Sequence, residues 1–221
     1  MNVWIIGFIL VYLMVLFCYF FSETSGNLKR RSINKIILAS MFLVFGIVAY
    51  ILSYSFLSYH LILLLAVFFA FLGDIYLLYS FTKGGILFLT SNVLFFTYQW
   101  IIVGVNKVPF IEVLWFILMF ISLFGTFFIL TKKKILNFKT KNLHILTYVA
   151  SVSLNGTLGL TLALYFLNTK ILLLGIGLFL FMLSDYFLMV HKFKVHKNWI
   201  LRSNSACYFI GLLMIVLSFM Y

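Results

Sequence analysis

Eight stretches of the chain, each about 20 residues long and almost free of charge, constrain its fold more than any other feature. They run near residues 3–21, 34–55, 61–79, 85–104, 111–130, 145–166, 171–190 and 199–220, with ends placed to about 3 residues. A hydrocarbon core of roughly 30 Å is crossed by a helix of about this length, because an α-helix satisfies its own backbone hydrogen bonds where no water can. The runs are continuous rather than alternating, which argues against a β-barrel. With 65% apolar and 9% charged residues, the chain has no counterpart among water-soluble domains of 221 residues. The expected fold is an all-α integral membrane bundle of eight transmembrane helices, one domain over residues 1–221. The first run has no basic segment before it and no small-residue cleavage site, so it is expected to be a helix of the mature protein rather than a signal peptide. Cys18 and Cys207 both fall within runs and are expected to be packing residues.

The net charge of +12 would suit a nucleic-acid binder, but its placement does not. Fourteen of the sixteen basic residues fall after the first, third, fifth and seventh runs, in segments assigned to loops: Lys29, Arg30, Arg31 and Lys35; Lys83; Lys132, Lys133, Lys134, Lys139 and Lys141; Lys192, Lys194, Lys197 and Arg202. Only Lys107 and Lys170 lie on the other side. The positive-inside rule makes the basic side cytoplasmic and puts both termini outside, as expected for a multi-pass protein of a bacterial cytoplasmic membrane. Its expected partners are membrane lipids, whose anionic head groups such a face attracts, and no nucleic acid.

Runs three and seven carry similar strings, Phe71-Leu72-Gly73-Asp74-Ile75-Tyr76-Leu77-Leu78 and Met182-Leu183-Ser184-Asp185-Tyr186-Phe187-Leu188-Met189, separated by 111 residues. Four helices lie between them, so both point the same way, as a parallel repeat of four helices plus four would require.

Acidic residues are scarce. Glu23 is assigned to a loop and Glu112 to an outer helix end, whereas Asp74 and Asp185 lie inside apolar runs. An aspartate there costs about 2.5 to 3.5 kcal/mol on insertion scales and is kept for function or for a buried partner. Each stands five residues before the predicted cytoplasmic end of its run, roughly 8 Å deep. Ser40, Asn92, Ser151, Asn204 and Tyr208 fall near that level, and helical spacing adds Gln99 to the face of Asn92 and Asn155 to the face of Ser151. These residues, with Ser184 beside Asp185, are the candidate walls of one substrate cavity; for each amide or hydroxyl the competing reading is a hydrogen bond between helices.

Other chemistries lack their parts. His60, His144, His191 and His196 sit in loops or at run ends, which disfavours a buried zinc hydrolase. No lysine is assigned to the middle of a run, and no serine has a histidine nearby to activate it. Two close carboxyls in a low dielectric cannot both hold a charge easily, so one keeps its proton while the other ionises, and the pair supplies an acid and a base. Intramembrane carboxylates also serve proton-coupled transporters, and a non-enzymatic lipid-binding protein could hold them as bundle contacts. The runs lack the Gly/Pro breaks of transport helices: the sole proline, Pro109, is in a loop, and Gly156 with Gly159 is expected to serve close packing.

Gly73-Asp74 with Leu77, Ser184-Asp185 with Leu188, and a last helix with Tyr208 followed by Leu212 to Val216 resemble the YhhN-like lysoplasmalogenase family of small eight-helix membrane proteins. The resemblance spans nearly the whole chain. Gln99 stands where that family often has histidine, and Gly211 where it often has glutamine. The resemblance implies a lysophospholipid substrate and hydrolysis of the vinyl-ether bond of a lysoplasmalogen to fatty aldehyde and a glycerophospho-headgroup. It implies Asp74 and Asp185 as the acid/base pair, with no metal and no other cofactor; which of the two is the acid is not fixed by the sequence, and Asp185 is preferred because Ser184 and the seventh run look more enclosed.

Overall fold

The computed structural model describes residues 3–24, 27–52, 58–133, 142–194 and 196–221. Among them are eight α-helices, α1 (Val3–Thr24), α2 (Leu28–Leu52), α3 (Ser58–Leu77), α4 (Phe81–Val105), α5 (Phe110–Lys132), α6 (Asn142–Phe166), α7 (Thr169–Phe193) and α8 (Asn198–Leu217), closed by a 3₁₀ turn at Ser218–Met220. All eight are long and apolar enough to cross a bilayer. The protein is a multi-pass integral membrane protein. Its connections are short. Ser80 caps α4 by accepting from the Lys83 amide (3.4 Å). At the opposite end, Leu167 turns into the left-handed region (φ 50°) and returns its N–H to the Ala163 carbonyl, and Asn168 at once caps α7 through the Ile171 amide (2.9 Å).

The helix ends differ most from expectation at α2, which begins at Leu28 rather than near residue 34. Its predicted end at residue 55 lies outside the described residues, as do Lys134, Lys139 and Lys141. Arg31 and Lys35 are thus helical rather than in a loop, on the stripe that continues through Leu38, Phe42, Phe45 and Ala49, all four buried. Likewise α1 runs on to Thr24, so Glu23 belongs to a helix and is buried. Both helices outlast their apolar runs because their polar residues find partners inside the bundle.

Buried small residues set the packing, since association within lipid relies on close backbone approach and hydrogen bonds rather than on apolar transfer. A Cβ on Gly175 would fall on the Gly159 carbonyl, joining α6 to α7. Another on Gly177 would stand 2.7 Å from the Gly211 carbonyl, joining α7 to α8. Helix α7 is therefore the centre of a three-helix layer. Gly156 is closed over by Met182 in the same layer, in keeping with a packing role for both glycines of α6. On the other side α3 lies against α4, where the Ser91 hydroxyl donates to the Ala66 carbonyl (2.7 Å). Tyr12 of α1 donates to the Phe209 carbonyl of α8 (2.9 Å). Helix α5 is peripheral, burying Phe116 and Phe127. Cys18 is exposed on α1 rather than packed, and Cys207 is half-buried.

Candidate active site

Between α1, α2, α3, α4, α6, α7 and α8, at the end of the bundle that carries most of the basic residues, lies a cavity of about 530 Å³. Its walls are largely apolar: Leu77, Phe88, Leu89, Ile145 and Leu188 are typical. Arg31 borders it with its side chain 38% exposed, and Ile86 on α4 borders it at 59% exposure. The cavity therefore meets both the basic end and the lateral, lipid-facing surface.

Asp74 and Asp185 both line this cavity, and both stand sixteen residues after the first residue of their helices. The counts to the helix ends differ, since α3 stops three residues after Asp74 whereas α7 runs eight beyond Asp185. Equal distances to the helix ends therefore do not bring them together; both meet at the cavity that α3 and α7 border.

Their surroundings are unlike. Asp74 is 2% exposed, its Oδ1 2.9 Å from the Lys35 ammonium of α2, while Oδ2 accepts from the Tyr208 hydroxyl of α8 at 2.6 Å. Asp185, 6% exposed, accepts from the Tyr148 hydroxyl of α6 at 2.8 Å. Among the described residues no cation pairs with it. One carboxyl is charge-compensated and the other is not. Rings of Phe88, Phe181 and Phe209 surround Tyr208 with centroids 4.9 to 6.0 Å away, holding its hydroxyl on Asp74. Beside Asp185, Ser184 also borders the cavity, and its buried hydroxyl has no hydrogen-bond partner among the described residues.

Of the residues expected to form one site, Asp74, Asp185, Ser184, Asn204 and Tyr208 border the cavity. Ser40, Asn92, Gln99, Ser151 and Asn155 do not. Three of these make a network between α4 and α6: Gln99 donates to the Asn155 carbonyl oxygen (2.9 Å), and Asn155 donates to the backbone carbonyls of Asn92 (2.8 Å) and Ser151 (3.0 Å). Ser151 turns back on the Tyr148 carbonyl (2.7 Å), and Ser40 is half-buried elsewhere on α2. Depth along a helix axis places a residue at a level but leaves its direction around the axis open.

The sequence reading missed Lys35, Tyr148 and Glu23. Lys35 was legible in the 31, 35, 38, 42, 45, 49 stripe, whose heptad spacing marks one helix face. Tyr148 shares a face with Ser151 and Asn155 at helical spacing, and Glu23 follows Tyr19 by one turn. Glu23 Oε1 accepts from Tyr19 (3.1 Å) and Ser205 (2.6 Å) and lies 3.9 Å from the Arg31 guanidinium. Among the described residues no group of three or more His, Cys, Asp or Glu side chains converges as a metal site would require.

No curated protein and no solved structure matches the chain. A family model does, covering residues 35–219 and so both aspartates, Lys35, Tyr148 and Tyr208. The chain belongs to the YhhN family.

Proposed function

We propose that this protein is an intramembrane hydrolase that cleaves the vinyl-ether bond of a lysoplasmalogen, with Asp185 as acid and Asp74 as base. The observation that carries this reading is the pair of buried carboxyls on one cavity, one compensated by a lysine and one not. An uncompensated carboxyl is buried at much lower cost as the neutral acid, and a neutral acid is what a vinyl ether needs. Family membership supports a membrane hydrolase more broadly. The cavity supports an amphiphilic substrate, with apolar walls beside a basic end.

In the first step the Asp185 carboxyl transfers its proton to the β-carbon of the vinyl ether, and the double-bond electrons form that C–H bond. The ether oxygen then shares its lone pair with the α-carbon, giving an oxocarbenium ion. Asp185, now a carboxylate, and Asp74 stabilise this cation in a low dielectric. Water adds to the α-carbon as Asp74 takes one of its protons; both Asp74 oxygens keep a lone pair beyond the bonds from Lys35 and Tyr208. The product is a hemiacetal. Its collapse returns the hydroxyl proton to Asp185 while Asp74 protonates the departing glycerol oxygen, releasing aldehyde. One water is consumed and both carboxyls are restored. The Lys35 ammonium keeps Asp74 ionised and oriented between turnovers.

The test is aldehyde release from a purified lysoplasmalogen in heavy water. The scheme requires one solvent deuteron on the carbon next to the aldehyde, trapped before exchange. Release without that deuteron, or no release, contradicts it.

A further inference from the structure

Glu23 has a feature that the reaction scheme does not use. The residue borders the same cavity, its side chain is fully enclosed, and among the described residues its Oε2 has no hydrogen-bond partner. Two hydroxyls and a guanidinium face Oε1, the arrangement around a carboxylate, which accepts at every lone pair. A buried carboxylate oxygen left without a donor is costly, and a donor that enters from the bordering cavity would supply the missing partner.

Two helices fix where that donor must come from. Arg31 on α2 faces Glu23 while Lys35, one turn further along, faces Asp74. On α8, Ser205 reaches Glu23 while Tyr208 reaches Asp74. Both ladders place Glu23 about 4.5 to 6 Å nearer the basic end than Asp74. A lysolipid whose first chain carbons lie at Asp74 and Asp185 presents its head group at this upper level.

From this arrangement we propose that Glu23 and Arg31 form a head-group subsite for a phosphoethanolamine, with Glu23 Oε2 accepting from its primary ammonium and Arg31 facing its phosphate. The subsite rests on reading the cavity as a lysolipid site. A primary ammonium brings three N–H donors and a positive charge to Oε2. A choline head group brings charge without an N–H donor, and a glycerol head group brings a donor without charge. The phosphate beside the ammonium meets Arg31, whose side chain is 38% exposed and borders the cavity.

The experiment measures competitive binding of saturated 1-O-alkyl lysophospholipids with ethanolamine, choline or glycerol head groups to the purified full-length protein. Such lipids have no cleavable vinyl ether, so the result is independent of hydrolysis. The expected order places ethanolamine about tenfold or more tighter than the other two, the value of one charge-assisted hydrogen bond. Glu23→Gln, which keeps an oxygen acceptor for Tyr19 and Ser205, should weaken the ethanolamine lipid about tenfold more than the choline lipid. Equal affinities in the wild type, or a preference that survives Glu23→Gln, would overturn the subsite. Should the variant misfold, the wild-type comparison alone decides. A Glu23-dependent preference in a protein that releases no aldehyde would keep the subsite and remove the hydrolase reading.

Discussion

Replacing Lys35 by methionine isolates the ion pair on which the asymmetry of the two carboxyls depends. The ammonium stands 2.9 Å from Asp74 Oδ1, with the two side chains 14% and 2% exposed. Methionine keeps much of the stem and removes the charge. Asp74 then either stays ionised without a cation or takes up a proton. Protonation at pH 7 of a carboxyl whose ordinary value is near 3.9 costs about 4 kcal/mol, and breaking a buried pair on one side costs about 3 to 5 kcal/mol. The Tyr208 hydroxyl still donates to Oδ2, so the lower part of that range applies. A loss of about 3 to 4 kcal/mol lowers the unfolding temperature of a chain this size by on the order of 10 °C. The assay is thermal unfolding of wild type, Lys35→Met, Asp74→Asn and the double variant, in one detergent at one scan rate. The double variant removes both charges and should recover most of the loss seen in Lys35→Met. A Lys35→Met protein within about 0.5 kcal/mol of wild type, or strictly additive losses, would refute a structural ion pair at this position.

Asn155→Ala cuts the α4–α6 network and should cost about 1 to 2 kcal/mol, seen as a lower unfolding temperature rather than a raised KM. For orientation, a cysteine placed at Asn27 in a protein lacking Cys18 and Cys207 should resist an impermeant thiol reagent in intact cells, and ready labelling would reverse the assigned topology. Chelators should leave turnover unchanged, because both proton transfers in the proposed scheme use carboxyls; a requirement for added zinc would remove that scheme.

The eight spans were legible because lipid imposes one length and nearly one chemistry on any segment that crosses it. Asp74 and Asp185 were legible for the complementary reason, that an unexplained charge in such a segment is expensive. Arg31 and Lys35 were misassigned because basic residues near a run end usually mark a loop or reach outward to the interface. Here Lys35 turns inward, and only the burial of its partner on α3 explains that direction. Glu23 was missed because its helix continues past the last apolar residue of the run, supported by Ser205 from a helix 182 positions away. Asn92, Gln99 and Asn155 show the opposite error. Asn92 was chosen by its level and Gln99 and Asn155 by a shared helix face, but their azimuth, set by α4 lying on α6, turns them toward each other and away from the cavity.

The central claim is that two unlike carboxyls in one membrane cavity hydrolyse a vinyl ether. Its most direct measurement is aldehyde release from a lysoplasmalogen by purified wild type, Asp74→Asn and Asp185→Asn, each shown to be folded. The account predicts release by wild type and losses of about 10²-fold or more in each variant, since an amide hydrogen-bonds but neither delivers nor accepts the proton. Turnover that survives either substitution, or a wild type that releases no aldehyde, would contradict it.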